Sequence, residues 1–214
     1  AGFLVLRSNF FDSAIMKMSV VGHEFKQRYL SNEETPNSFT VKAIVFDGPE
    51  HYHKEINNPD LKIDANCILI IRGCGPIGYP GAAEVVNMQP PDYLLKKGIS
   101  SLPCLGDGRQ SGTSESPSIL NVSPEAAIGG GLSILKNGDL IKIDLASKRV
   151  DLLLDEKDIA VRKNNTNFIF PENQTPWQEI ARKFTGQLSN GACMDLEENY
   201  FDIARTKGIP RDNH

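Results

Sequence analysis

The chain has 214 residues, a hydrophobic fraction of 40% and a formal net charge of −4, with acidic and basic side chains interspersed. It carries no basic stripe of the kind that binds nucleic acid, and no apolar run approaches the ~20 residues of a membrane-spanning helix. A chain of this size buries roughly 70% of its unfolded surface, so we expect a domain with a hydrophobic core and no membrane or nucleic-acid partner.

Short apolar segments bounded by Gly, Pro, Asn or Asp predict a series of β-strands. In chain order they are Phe3–Arg7, Phe39–Phe46, Cys67–Arg72, Ser100–Leu105, Leu132–Leu135, Leu140–Leu145 and Val150–Leu154. The Asn-Gly pair within Lys136–Asp139 is typical of a hairpin turn, because both residues tolerate positive φ. Residues 132–154 are therefore predicted to form a meander of three antiparallel strands. Since the chain opens inside a predicted strand, we expect it to be part of a longer protein.

The predicted helices are few and short. They are Pro49–Ile56, Ser123–Ala127 with a capping Ser followed by Pro, and the longer Asp155–Lys163 and Pro176–Leu188. Many short strands with sparse helices favour a mainly β domain with flanking helices (α+β), built as a barrel or sandwich. We assign residues 1–163 to this domain. The more polar residues 164–214 are predicted to be a C-terminal extension that packs on the barrel or on a partner subunit.

A loop rich in glycine and proline runs from Arg72 to Glu84. Its Gly-x-Gly-x-x-Gly spacing is that of a dinucleotide-binding turn. Pro76 and Pro80 interrupt this motif, remove backbone donors and disfavour a helix, and no βαβ series follows, so we do not expect a dinucleotide site. The loop ends on the Glu84 carboxylate. This is either a surface side chain in a first helical turn or an oxygen ligand for a hard cation such as Mg²⁺.

A second loop, residues 106–117, is crowded with hydroxyl groups. Its amides can form an anion-binding concavity, and Arg109 can hold a substrate carboxylate through two parallel hydrogen bonds. Ser111 does not lie in a hydrolase nucleophile elbow, which needs glycine two residues on either side, and no His lies nearby in sequence. A metal-independent hydrolase is therefore a weak alternative. The loop can also be a polar turn whose hydroxyls satisfy its own backbone.

The four cysteines are Cys67, Cys74, Cys104 and Cys193, and no two of them form a CxxC pair. This usage predicts reduced thiols in a cytoplasmic protein. A complete metal or cluster site built from these cysteines alone is not expected.

Three motifs occur here in an order that resembles the family of dihydroxyacid dehydratase and 6-phosphogluconate dehydratase. Gly75–Glu84 matches Gly-Pro-x-Gly-x-Pro-Gly-x-x-Glu, Asp107–Gly112 matches Asp-x-Arg-x-Ser-Gly, and Val122–Gly130 matches Val-x-Pro-Glu-Ala-x-x-Gly-Gly. The resemblance implies the β-barrel-like C-terminal swivel domain of that family. Residues 110–114 and the chain end, residues 209–214, are more similar to the sugar-acid branch than to the branched-chain amino-acid branch.

The resemblance implies a hydro-lyase that removes water from a 2,3-dihydroxy acid or sugar acid and gives a 2-keto acid by way of an enol. It also implies an iron–sulfur cluster, which binds the departing 3-hydroxyl, and Mg²⁺, which holds the carboxylate and 2-hydroxyl. Ser111 matches the base that takes the C2 proton, and Glu84 matches an Mg²⁺ ligand. Thr113 and His214 join Arg109 as predicted substrate-binding residues. A serine acts as a base near neutral pH only where cations and amide donors stabilise its alkoxide.

The family's cluster cysteines and remaining Mg²⁺ ligands lie in a larger amino-terminal domain, whose motifs are missing from this chain. The resemblance therefore implies two partners, namely the amino-terminal domain of the same enzyme and further copies in a homo-oligomer. We expect that this chain alone does not catalyse dehydration. The alternative is a stand-alone β-barrel module that binds a sugar acid or an anion without chemistry.

Overall fold

One mixed β-sheet dominates the computed structural model, which describes residues 2–80, 88–109, 117–194, 202 and 205–208. In that part of the chain its strands are β1 (Phe3–Leu6), β2 (Ser13–Lys17), β3 (Ser38–Asp47), β4 (Cys67–Arg72), β5 (Cys104–Gly106), β6 (Ser118–Ser123), β7 (Leu140–Asp144) and β8 (Arg149–Leu152). They follow the order β1-β2-β6-β5-β4-β3-β7-β8. Strands β3 to β6 are parallel to one another, and the flanking pairs are antiparallel.

The two edges of the sheet meet, so that it nearly closes into a barrel. Arg7, directly after β1, forms a parallel bridge with Arg149 in β8. The Arg7 N–H donates to the carbonyl of Lys148 at 3.0 Å, and the Val150 N–H donates to the carbonyl of Arg7 at 2.9 Å. These bonds satisfy backbone groups that an open edge would expose. The predicted mainly β, barrel-like domain with flanking helices is confirmed.

Short helices lie around the barrel. The α-helices are α1 (His23–Phe25), α2 (Gly48–Glu55), α3 (Asp92–Leu95), α4 (Glu156–Asn164) and α5 (Pro176–Phe184). A π-helical turn (Lys26–Leu30) continues α1, and 3-10 turns occur at Met18–Val20, Pro59–Leu61, Ala126–Ile128, Gly131–Ile134 and Leu188–Asn190. Predicted helices match α2, α4 and the start of α5. A capping box between Thr175 and Gln178 fixes that start.

The parallel strands are buried on both faces, and this explains why the sequence of β4 is continuously apolar. Ile68 and Ile70 belong to the core inside the barrel. Leu69 and Ile71 belong to a second core on the outer face, where Tyr52 of α2 also packs. A strand covered on both sides needs apolar residues at every position, and this pattern made β4 predictable with its correct bounds.

The predicted strand Leu132–Leu135 is wrong, because this segment forms the 3-10 turn Gly131–Ile134. The Arg72 guanidinium, at the end of β4, donates to the carbonyls of Leu132, Ser133 and Leu135 at 3.2, 2.9 and 3.0 Å. Convergence of three carbonyls on one cation requires a turn rather than an extended strand.

The predicted three-stranded meander is also wrong. Residues 136–139 form a turn that leads into β7, and the Asn137 side-chain oxygen accepts from the Val45 N–H at 2.6 Å. The hairpin of this region joins β7 to β8, and β7 pairs on its other side with β3. Asn137 and Gly138 therefore form hydrogen bonds to β3 and do not form the turn of a β-hairpin.

Three strands and one turn differ further from prediction. The sequence analysis missed β2 and β6; in β6 the apolar run is interrupted by Asn121, which has a positive φ of 56°. The helix predicted over Ser123–Ala127 is wrong, because Ser123 ends β6 and the 3-10 turn starts only at Ala126. The 100–105 strand is shorter, since β5 begins at Cys104.

Gly131→Ala is expected to lower the free energy of unfolding by about 3 kcal/mol, because the new Cβ overlaps the backbone carbonyl of Phe10. Urea unfolding of the purified chain measures this change. Gly22→Ala is the matched control, since no atom lies within 4 Å of its Cβ position and its φ is −72°. Equal stabilities of the two variants would contradict the close approach of residues 10 and 131.

Candidate active site

The three motifs meet at one edge of the barrel. The glycine-rich loop follows β4, the hydroxyl-rich loop follows β5, and the Pro124–Gly131 segment follows β6. Because these strands are parallel neighbours, their carboxyl ends lie side by side. In sheets with parallel strands this edge is where ligands commonly bind.

The Asp107 carboxylate connects all three motifs. Its side chain is fully buried. One oxygen, Oδ2, accepts from the Gly73 N–H at 3.0 Å and from the Ala126 N–H at 2.9 Å, and Oδ1 accepts from the Cys74 N–H at 2.8 Å. A single side chain at the start of the hydroxyl-rich loop therefore fixes the other two segments.

The Glu125 carboxylate makes a second connection and is also buried, with 1% of its surface exposed. It accepts from the Ile77 N–H at 3.1 Å and from the Gly78 N–H at 2.8 Å. Gln187 of the extension donates to it at 2.8 Å and accepts from the Glu125 N–H at 2.8 Å. A Cβ at position 75 would overlap this carboxylate, which explains Gly75.

These contacts give the amides of the glycine-rich loop their partners. In a dinucleotide-binding turn, comparable amides receive a pyrophosphate. Here the N–H groups of Gly73, Cys74, Ile77 and Gly78 donate to Asp107 or Glu125. The Gly-x-Gly-x-x-Gly spacing thus allows the loop to wrap around carboxylates of the protein itself.

Burial also controls ionisation at this edge. Desolvation raises the pKa of Asp107 from its ordinary 3.8 to about 6, although its three amide donors oppose the shift. Desolvation, and secondarily the neighbouring Asp107, raises the pKa of the Cys74 thiol. Burial therefore favours the neutral form of the Cys74 thiol.

The C-terminal extension packs against the outer side of the glycine-rich loop. Arg182 of α5 donates through Nε to the carbonyl of Ile77 at 3.2 Å and through Nη1 to the carbonyl of Pro171 at 2.6 Å. The Phe168 ring lies close enough to Gly73 that a Cβ there would overlap it. A cavity of about 680 Å³ lies between the extension and the barrel.

Of the predicted site residues, Arg109 lies within the described chain and is exposed. It follows Gly108, whose carbonyl accepts from the Asn121 N–H of β6 at 2.9 Å. Glu84, Ser111, Thr113 and His214 lie outside the described residues. Their proposed roles stay predictions.

Sequence reasoning missed the supporting roles of Glu125, Gln187 and Arg182. Glu125 falls within Ser123–Ala127, which was predicted to be a short helix. The signal that could have found it is its position just after a buried strand, which it shares with Asp107. Gln187 offers no local signal, because its partner lies 62 residues away.

Within the described ranges, no group of three or more His, Cys, Asp or Glu side chains could hold a metal ion. This part of the chain therefore does not by itself fit an iron–sulfur cluster or a complete Mg²⁺ site. No helix among the described residues is long and apolar enough to cross a membrane.

Comparison with known proteins agrees with this barrel and its three connected motifs. The family model described as "Dihydroxy-acid/6-phosphogluconate dehydratase C-terminal" matches residues 1–192, so the chain belongs to this family of dehydratase C-terminal domains. The resemblance predicted from the motifs is confirmed.

Similarity is higher to the sugar-acid relatives than to a dihydroxy-acid relative. The chain is 60% identical over its whole length to D-xylonate dehydratase of Caulobacter vibrioides, covering 36% of that protein. It is 45% identical over 81% of its length to L-arabinonate dehydratase of Rhizobium leguminosarum bv. trifolii, covering 29% of that protein. Identity is 33% over 91% of the chain to dihydroxy-acid dehydratase of Clostridium beijerinckii, covering 33% of it. The chain thus spans about a third of the length of these relatives.

Asp107→Asn is expected to reveal how burial and hydrogen bonding compete at this carboxylate. Because the folded pKa lies above the ordinary value, the group contributes most to stability below pH 4 and loses that contribution as pH rises through about 6. The unfolding free energy of the wild type minus that of the variant should fall by about 3 kcal/mol between about pH 4 and pH 7. Urea unfolding at several pH values measures it.

The variant also leaves at least one of the three amides without an acceptor, which costs about 1–3 kcal/mol at every pH. Asp12→Asn, at an exposed aspartate, controls for the change of charge. A difference that grows as pH rises would mean that the amide donors outweigh burial and that the pKa of Asp107 is lowered.

Proposed function

We propose that this chain is the C-terminal part of a hydro-lyase that dehydrates a sugar acid, of the aldonic acid class that includes D-xylonate, to a 2-keto acid. The observation that carries the proposal is the convergence of the three motifs on the buried carboxylates Asp107 and Glu125. The 60% identity to a D-xylonate dehydratase favours a sugar acid over a branched dihydroxy acid.

Ser111 is proposed to take the proton from C2 of the substrate. Loss of that proton and of the C3 hydroxyl releases one water and leaves an enol, which tautomerises to the 2-keto acid. Ser111 lies four residues after the immobilised Asp107, and the intervening Arg109 adds positive charge. Nearby cationic groups and amide donors lower the cost of forming an alkoxide, as a serine base requires.

Substrate contacts are proposed for Arg109, Thr113 and His214. A guanidinium suits the carboxylate that every aldonic acid carries, because it can donate two parallel hydrogen bonds to it. A hydroxyl and an imidazole suit the hydroxyl groups along the sugar chain, since each can both donate and accept.

The whole enzyme is proposed to use an iron–sulfur cluster and Mg²⁺, with Glu84 as the Mg²⁺ ligand that this chain contributes. When bound, these groups supply Lewis acidity at the substrate oxygens. The remaining ligands are expected from the amino-terminal domain, which is the proposed partner of this chain. Assembly as a homo-oligomer and a cytoplasmic location are further predictions.

Ser111→Ala in the full-length enzyme is expected to lower kcat by about 10²–10⁴, because the proton-abstracting base is removed. The enzyme is purified without oxygen and supplied with Mg²⁺, and 2-keto acid formation is assayed with a panel of aldonic acids and 2,3-dihydroxyisovalerate. Cluster absorbance is recorded for each preparation, so that loss of the cluster is distinguished from loss of the base.

The matched control is Ser147→Ala, in the turn between β7 and β8, which lies at the opposite end of the barrel from the motifs. It should keep wild-type turnover. Full activity of Ser111→Ala would remove Ser111 as the base. Preference for 2,3-dihydroxyisovalerate over every aldonic acid would overturn the proposed substrate class. The 214-residue chain alone is expected to give no product.

A further inference from the structure

We propose that Gln187, on the C-terminal extension, is a positioning residue for the active site and acts through the Glu125 side chain. The inference rests on the proposed function, because the loop that the pair holds is the loop that leads to Glu84. In this proposal the extension helps to position the glycine-rich loop of the site.

Gln187 is held in one orientation by two reciprocal bonds. Its Nε2 donates to Glu125 Oε1 at 2.8 Å, and its Oε1 accepts from the Glu125 N–H at 2.8 Å. Its backbone lies in a compact turn, where the carbonyl of Gln187 accepts from the Asn190 and Ala192 N–H groups at 3.0 and 2.9 Å. Both polar atoms of the side chain are therefore directed at one residue of the barrel.

Glu125 transmits this contact to the glycine-rich loop. Its Oε1 is shared between Gln187 and the Ile77 N–H, and its Oε2 accepts from the Gly78 N–H at 2.8 Å. A carboxylate with 1% exposure cannot replace a lost donor with bulk water, so removal of the Gln187 amide favours a shift of the carboxylate and of the amides that it holds.

The extension holds the same loop residue from a second side. Arg182 donates to the Ile77 carbonyl at 3.2 Å, so that the N–H and the C=O of Ile77 are both bonded to groups outside the loop. Glu84 follows Ile77 by seven residues. Displacement of a reacting group by about 1 Å can lower a rate by about 10²-fold. A shift of this loop that displaces Glu84 is therefore expected to lower the rate of the reaction.

Exchanging the side chains of residues 125 and 187 distinguishes the effect of their hydrogen bonds from the effect of their packing. Gln187→Glu places two carboxylates against each other, and Glu125→Gln places an amide nitrogen against another donor, either the Gln187 nitrogen or the Gly78 N–H. In the double variant Glu125→Gln/Gln187→Glu, the residue-125 amide oxygen can accept from Ile77 and Gly78, as Oε2 does at 3.2 and 2.8 Å. Its nitrogen can donate to the new carboxylate, whose second oxygen accepts from the residue-125 N–H. Both bonds between residues 125 and 187 are kept, and Ile77 loses only its bond to Oε1 at 3.1 Å.

The experiment compares wild type, both single variants and the double variant of the full-length enzyme, purified without oxygen. It measures kcat, KM, the melting temperature, cluster absorbance and hydrogen exchange of the peptide covering residues 73–80. Each single variant is expected to lose about 10- to 100-fold in kcat well below its melting temperature, with faster exchange in that peptide. The double variant is expected to return to within about threefold of wild type in kcat and to recover the protection.

Glu179→Gln is the control for a Glu-to-Gln change, since Glu179 lies on the exposed side of α5, and it should match wild type. Single variants that melt earlier but keep kcat would overturn the positioning role, and so would a double variant that stays as slow as the single ones.

If the double variant does not fold, Gln187→Asn replaces it as the decisive variant. This variant keeps the amide group but is one methylene shorter, and an unchanged kcat there overturns the proposal. Wild-type enzyme without turnover on any acid of the panel would overturn the proposed function and this inference together, whereas active wild type with unaffected variants overturns this inference alone.

Discussion

The hydrogen bonds between two buried carboxylates and the amides of the glycine-rich loop are the constraint on which the candidate active site depends. Burying an isolated carboxylate away from water costs several kcal/mol of free energy, so each of these carboxylates must be surrounded by hydrogen-bond donors. Asp107 meets this requirement with three backbone amides from two other segments. Glu125 meets it with two loop amides and the Gln187 side chain. The requirement for donors draws distant segments together.

This constraint accounts for the composition of the loop. Successive amides can point at the carboxylates only if the chain approaches them closely, and a side chain at Gly75 or Gly78 would overlap the Glu125 carboxylate or the carbonyl of Gly73. The same geometric need produces glycine-rich turns around phosphates, which explains why the spacing resembles a dinucleotide motif. The identity of the anion differs, because here the protein supplies it.

The extension belongs to the same structural unit. Helix α5 directs Arg182 towards the barrel, while Trp177, five residues earlier, is 77% exposed. Besides the Phe168 ring at Gly73, contact with the barrel is made by directional polar bonds, from Arg182 and Gln187 to carbonyl and carboxylate groups. Directional bonds fix position closely, which suits a segment that holds the glycine-rich loop.

The sequence by itself determined the family, through three motifs in order, and those elements whose pattern is local. Strand β4 was predictable because burial on both faces demands an unbroken apolar run, and α5 because Thr175 and Gln178 cap it. It also identified the loops of the site. Tertiary structure decided what depends on distant partners. Residues 132–135 are apolar enough for a strand or a buried turn, and distant guanidinium groups favour the turn, Arg72 on three of its carbonyls and Arg162 on that of Ile134. The Glu125–Gln187 pair joins residues 62 positions apart, and no local pattern encodes a contact that arises only where the extension packs on the barrel.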